Sequence, residues 1–152
     1  MEERIRICFI VDHIATVGGV QRVVKVLSKA LAEKCCVTIY CDDDFAVFPE
    51  NMIDVEIKSY HGLHVSQSDR SFFAKAIDRC NKKTGILNNR QFNDILINAV
   101  YSKTVIEYWV KELESYDVAI GVQGYYSFLL GVIGDRVRCK FVGWQHNSFE
   151  AY

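Results

Sequence analysis

The sequence lacks both a strong net charge and a long apolar run. Its 152 residues include 18 Lys and Arg against 19 Asp and Glu, which gives a formal net charge of −1. Proteins that bind nucleic acid through its phosphates carry a clear excess of basic residues, so we expect no nucleic-acid partner. No apolar run approaches the roughly 20 residues that a membrane-spanning helix needs.

The spacing of a metal site is also missing. The six cysteines form no C-x-x-C motif, and no histidines at zinc-finger spacing accompany them. Cys35 and Cys36 are adjacent, and the others lie in apolar or helical patterns. We therefore expect reduced thiols that pack as small apolar side chains in a cytoplasmic protein, with no bound metal.

Neither common phosphate-binding fingerprint occurs. A dinucleotide site needs G-x-G-x-x-G directly after a strand, and a P-loop needs G-x-x-x-x-G-K followed by Ser or Thr. The loop after the first apolar run contains only Gly18 and Gly19, and it places them too far from the end of that run at Val11. A nicotinamide dinucleotide site and a P-loop are therefore excluded.

Apolar strand patterns alternate with helical stripes along the chain. Val20, Val24, Leu27 and Leu31 mark one such stripe, between two strand-like runs. The order β-α-β-β-α(α)-β-α-β predicts one α/β domain over residues 1–152, with a Rossmann-like, doubly wound and mainly parallel sheet. The predicted strands are Ile5–Val11, Val37–Cys41, an edge strand around Val55, Tyr116–Val122 and Lys140–His146.

Polar residues follow these strands on the side where such sheets bind ligands. His13 and the glycine pair follow the first strand, Gln123 and Tyr125 the fourth, and His146 and Asn147 the fifth. Two interpretations of Gly18 and Gly19 remain open. They either allow a tight turn or keep a helix N-terminus open to an anion.

Several motifs together resemble a known family. The motifs are the loop "GGVQR" before an amphipathic helix, the strand "YDVAIGVQG" and the segment "KFVGWQHNSFEAY". Together they resemble the N-terminal half of retaining glycosyltransferases of the GT4 family (glycosyl transferase group 1). Enzymes of this family have the GT-B fold. The resemblance implies a nucleotide-diphosphate sugar as donor and a polysaccharide or glycolipid acceptor, with no metal and no covalently bound cofactor. It implies a donor diphosphate loop of Gly18, Gly19 and Arg22, a catalytic His146, and acceptor or cleft residues His13, Gln123, Tyr125 and Asn147.

The sequence departs from this family in two respects. Gln21 stands where Glu is common, and no E-x7-E motif of a C-terminal nucleotide-sugar domain is present. We therefore expect an acceptor-side fragment that is inactive alone and that self-associates through the surface its missing domain would cover. The basic residues around Lys75 and Arg79 indicate a solvated helix face, and the resemblance offers the alternative that this region contacts the inner face of a membrane that holds a lipid-linked acceptor.

Other functions remain open. The fold also suits a stand-alone, flavodoxin-like module that binds an anion or a partner without catalysis, or a sugar-nucleotide epimerase of GT-B shape. No carboxylate pair indicates a glycosidase, because Asp42–Asp44 is most simply a solvated turn.

Overall fold

The structure, a computed structural model, describes residues 4–43, 52–60, 72–86 and 101–145. Strands and helices follow one another in the order that the sequence predicts, β-α-β-β-α-α-β-α-β. The elements are β1 (Arg6–Ile10), α1 (Gly19–Ala32), β2 (Cys36–Cys41), β3 (Val55–Ser59), α2 (Phe72–Thr84), α3 (Lys103–Leu113), β4 (Val118–Val122), α4 (Gly124–Ile133), a 3-10 turn (Gly134–Arg136) and β5 (Lys140–Trp144).

The strands form one sheet in the order β3-β2-β1-β4-β5, and every pair of neighbours is parallel. β1 lies in the centre, where Ile7 is opposite Val37 of β2 and Val118 of β4. The strand order reverses between β1 and β4, which is the topological switch point of such a sheet. The predicted α/β Rossmann-like class is confirmed, and β3 is the edge strand that the sequence indicates.

The two faces of the sheet carry different helices. Ile7, Phe9 and Ile39 belong to the buried cluster that includes Val24 of α1, so α1 covers one face. On the other face α4 packs against β4 and β5, where a Cβ on Gly121 would lie 2.8 Å from the backbone of Ser127. Glycine at position 121 therefore allows helix and strand to approach closely.

The chain divides into two compact units. One comprises residues 1–62 and 110–152, and it contains the sheet, α1 and α4. The other comprises residues 63–109, of which the structure describes α2 and the greater part of α3. The sequence also predicts a helix from Phe92 onward and places His61 and His64 after the third strand, but residues 61–71 and 87–100 lie outside the described residues.

All six cysteines are free thiols, and Cys8, Cys41 and Cys139 are buried. Burial, the largest effect, raises the pKa of Cys41 and of Cys139 to about 11. Within the described segments no helix has the length and apolar character needed to cross a membrane.

Candidate functional site

The candidate site lies at the carboxyl edge of the sheet, around the switch point between β1 and β4. Residues 11–18 connect β1 to α1 there, Asp42 and Asp43 follow β2, and Gln123 follows β4. Parallel strands all end at this edge, so the polar residues after them are brought together although they are distant in sequence.

The glycine pair has ordinary backbone angles. Gly18 is the N-cap of α1 with φ −159° and ψ 164°, an extended conformation that any residue adopts. Among the described glycines only Gly85 has a positive φ. A turn that requires glycine therefore does not explain Gly18 and Gly19. A Cβ on Gly19 would meet no atom within 4 Å, so packing does not require glycine at this position either.

An open depression of about 500 Å³ lies beside the glycine pair, and it contains two cationic side chains. Arg22 is exposed and Lys25 half-buried, and neither forms an ion pair with any residue in the described segments. The first turn of α1 contains no acidic residue, so the positive potential of the helix N-terminus is not neutralised locally. The depression is lined by Thr16, Val17, Gly18, Gly19, Arg22, Lys25 and Val26.

Asp43 fixes the segment that leads to the glycine pair. Its Oδ2 accepts hydrogen bonds from the backbone N–H groups of Ile14 and Ala15, the latter at 2.9 Å. Its Oδ1 lies 3.2 Å from Nδ1 of His13. Burial alone would raise the pKa of the Asp43 carboxyl, but these hydrogen bonds outweigh burial and hold the pKa below its usual value.

The interpretation of Asp42 and Asp43 as a solvated turn is therefore wrong. Both residues are buried, and the β1–α1 connection supplies the Asp43 carboxylate with the hydrogen bonds that a buried carboxylate needs. Asp44 lies outside the described residues. In dinucleotide-binding proteins an acid near this strand end binds the ribose. Here both oxygens of Asp43 contact groups of the chain itself.

A second polar network crosses the switch point. The Tyr126 hydroxyl donates to Oδ1 of Asp12 at 2.5 Å and also contacts the hydroxyl of Tyr60. The Tyr60 hydroxyl donates to the carbonyl oxygen of Val11 at 3.0 Å. Both tyrosines are buried and Asp12 is exposed. Burial is the main reason why the pKa of each tyrosine is raised above its usual value.

Gln123 has an unusual backbone conformation. Its φ of 87° and ψ of 154° lie in a region that is essentially restricted to glycine. Two flanking interactions hold it there, since its N–H donates to the carbonyl of Trp144 at 3.1 Å and its own carbonyl accepts from the backbone N–H of Ser127 at 3.1 Å. Backbone strain of this kind is concentrated at functional sites.

The structure brings together part of the site predicted from the sequence. Gly18, Gly19 and Arg22 line one depression, and His13 belongs to the Asp43 network. Gln123 and Tyr125 lie at the end of β4 and the start of α4, near the switch point. His146 and Asn147 lie outside the described residues.

Sequence reasoning missed three residues of these arrangements, which are Lys25, Asp43 and Tyr60. Asp43 and Tyr60 each follow a strand directly or within two residues, so their position relative to the strands could have identified them. Lys25 lies three residues after Arg22 on α1, and helical spacing places both on one side of the helix.

The fold identifies the chain as a Rossmann-like α/β protein with a candidate ligand site at the carboxyl edge of its sheet. No family model matches the chain, and no curated protein matches it. Among the described side chains, no group of three or more His, Cys, Asp or Glu residues could hold a metal ion.

Proposed function

We propose that this chain is the N-terminal, acceptor-side domain of a retaining glycosyltransferase that resembles the GT4 family. The whole enzyme would transfer a sugar from a nucleotide-diphosphate sugar to a polysaccharide or glycolipid acceptor. Gly18, Gly19 and Arg22 would contact the donor diphosphate, and His146 would act beside the donor sugar. The 152-residue chain would show no sugar transfer alone, because the proposal assigns most of the nucleotide contacts to a second domain.

The observation that carries the proposal is the open space at Gly19. Neither backbone angles nor packing requires glycine there, and any side chain would project beside the cationic depression of Arg22 and Lys25. A diphosphate approaches backbone N–H groups only where no side chain intervenes. Two cations without acidic partners complement its charge, and Arg is well suited to phosphate geometry.

The test is a titration of the 152-residue chain, followed through its backbone amide NMR signals. Uridine, guanosine and adenosine diphosphates are the probes, and inorganic phosphate is the comparison. We expect at least one nucleotide to shift the signals of Gly18, Gly19 and Arg22. Gly19→Val and Arg22→Ala should each weaken that binding about tenfold, while the control Arg138→Ala, at another exposed arginine, should leave it unchanged.

Two other results would change the proposal. If none of the nucleotides shifts these signals, the donor role of Gly18 and Gly19 is refuted. If inorganic phosphate binds as tightly as the nucleotides, a stand-alone anion-binding module explains the depression better.

His146→Ala, measured in a protein with sugar-transfer activity, should lower turnover more than stability. Unchanged turnover would place His146 in the scaffold.

We also propose a membrane contact through α2, in the second unit. Phe72 and Phe73 at its start are 82% and 78% exposed, and the helix presents Lys75, Arg79 and Lys82 to solvent as well. Exposed aromatic side chains beside basic ones are typical of helices that lie on anionic membrane surfaces. This contact would hold the domain at the membrane that contains a glycolipid acceptor.

Self-association is the third part of the proposal. Val23 and Val26 lie on the outer side of α1 and are 44% and 64% exposed, and Val142 of β5 is exposed too. Exposed apolar side chains of this size favour contact with another protein surface. Sedimentation equilibrium should show a reversible dimer that Val26→Glu weakens. A monomer at all concentrations would contradict this part.

A further inference from the structure

Asp12 is held in a fixed orientation at the centre of the carboxyl edge. It follows β1, the central strand, and its Oδ1 accepts a hydrogen bond from Tyr126, which lies on α4 beyond β4. The hydroxyl of Tyr60 lies against that of Tyr126 but donates its proton to the carbonyl of Val11, and the rings of the two tyrosines pack edge to face. One buried tyrosine, packed against a second, thus fixes the direction of one exposed carboxylate across the switch point.

The second oxygen of this carboxylate is available to a ligand. In the part of the chain that the structure describes, Oδ2 of Asp12 accepts no hydrogen bond and Asp12 forms no ion pair. Gln123 holds the equivalent position after the neighbouring strand β4, because Asp12 and Gln123 each come two residues beyond the paired residues Ile10 and Gly121. Gln123 has a strained backbone, and its carboxamide both donates and accepts hydrogen bonds.

The Asp12 carboxylate and the Gln123 carboxamide together suit the hydroxyl groups of a ligand better than a metal cation. A metal site would need further carboxylate, Cys or His ligands, and the described residues contain no such cluster. A fixed carboxylate offers only acceptors, and a neighbouring carboxamide offers both kinds of group. Adjacent hydroxyls of a sugar or other polyol, each of them donor and acceptor, match that set.

We propose that Asp12 binds hydroxyl groups of a polyhydroxylated acceptor at the switch point, with Gln123 as a second contact and Tyr126 as the positioning residue for the Asp12 carboxylate. This inference rests on the proposed function, since it assigns the acceptor rather than the donor to these residues. The site and the cationic depression beside Gly19 both lie along the β1–α1 connection, and they are lined by different residues. A ligand of the one can therefore be distinguished from a ligand of the other.

The test uses the 152-residue chain with D-glucose, D-mannose and D-galactose as probes, followed by backbone amide NMR. We expect at least one sugar to shift the signals of Asp12 and Gln123 with an affinity in the millimolar range. Asp12→Asn should weaken that binding about tenfold. Asp135→Asn, at an exposed carboxylate of the 3-10 turn, is the matched control and should bind sugar as the unaltered chain does.

Tyr126→Phe tests the positioning role. It should weaken sugar binding and leave the shifts caused by uridine diphosphate at Gly18 and Gly19 unchanged, whereas a general loss of structure would reduce both. Sugars that leave the Asp12 and Gln123 signals unmoved, or Asp12→Asn binding sugar as well as the unaltered chain, would overturn this inference. The nucleotide shifts would then still support the proposed function. Sugar binding without any nucleotide shift would instead support Asp12 and contradict the donor loop.

Discussion

Tyr126 donates a hydrogen bond to Asp12 across the switch point of the sheet, although the two residues are 114 positions apart in sequence. The bond joins the segment after β1 to the first turn of α4, the helix that follows β4, and the strand order reverses between β1 and β4. Tyr126 is 4% exposed, so its hydroxyl needs a partner inside the protein. Asp12 supplies that partner, and the bond thereby orients the exposed carboxylate.

Tyr126→Phe should lower the free energy of unfolding at neutral pH by about 1 kcal/mol, because one buried hydrogen bond is lost. The pKa of Tyr126 is raised in the folded protein, chiefly by burial. Its protonated form therefore contributes stability that is present below the unfolded-state pKa of about 10 and is lost as the pH rises above it. Urea unfolding at several pH values should show a shallower alkaline loss in Tyr126→Phe. Tyr108→Phe, outside this network, is the control. An equal alkaline loss of stability in the unaltered chain, Tyr126→Phe and Tyr108→Phe would contradict the prediction.

Asp43→Asn should lower the free energy of unfolding at pH 7 by about 2 kcal/mol, because a buried carboxylate with three hydrogen-bond donors loses its charge. The pKa of Asp43 is lowered in the folded protein. The ionised Asp43 carboxylate therefore contributes to the free energy of unfolding above the unfolded-state pKa of about 3.9. That contribution is lost as the pH falls through the folded-state pKa.

Urea unfolding from pH 7 down to acid should therefore show the stability difference between Asp43→Asn and the unaltered chain shrinking below about pH 4. Asp54→Asn, at an exposed carboxylate, should differ little from the unaltered chain at any pH. A difference for Asp43→Asn that does not change with pH would show that the ionised carboxylate is not what holds the β1–α1 connection.

Gln123→Gly should be more stable than Gln123→Ala by about 1 kcal/mol, although the two differ by a single methyl group. The positive φ of residue 123 is unfavourable for any residue with a Cβ, and glycine removes that strain. Thermal unfolding measures the difference. Both variants lack the carboxamide, so both should lose sugar binding equally. Equal stability would mean that residue 123 carries no strain in solution.

Gly121→Ala and Gly19→Ala should differ strongly in stability. A methyl group at position 121 would lie 2.8 Å from backbone atoms of α4, and such overpacking costs about 2 kcal/mol. At position 19 it would meet nothing within 4 Å, so the stability should change by less than about 0.5 kcal/mol. Denaturant unfolding compares the two variants. A large loss for Gly19→Ala would mean that Gly19 has a structural role.

Sedimentation with lipid vesicles tests the membrane contact of α2. We expect binding to vesicles that contain phosphatidylserine and much weaker binding to phosphatidylcholine alone, because basic residues contribute about 1 kcal/mol each near an anionic surface. Phe73→Ser should reduce binding. Phe128→Ser, at an exposed phenylalanine of α4, should not. Equal binding to both lipids would contradict the electrostatic part of the proposal.

Most of the fold could be predicted because its signals are local. The helical stripe of α1 and the apolar runs of β1 and β2 each depend on residues within one turn or one strand. The boundaries were less accurate. The predicted strand Ile5–Val11 is Arg6–Ile10 in the structure, and Tyr116–Val122 is Val118–Val122. Strand ends depend on which neighbour they pair with, and that information is not local.

The candidate site was only partly predictable. The sequence alone determined the alternation of strands and helices, and therefore the edge of the sheet at which Gly18, Gly19, His13 and Gln123 would lie. Tertiary structure alone decided that Asp43 is buried under the β1–α1 connection and that Tyr126 meets Asp12. The physical reason is distance along the chain. Periodicity reports which face of an element is apolar, whereas hydrogen bonds between residues far apart in sequence exist only after the sheet has brought the strand ends together.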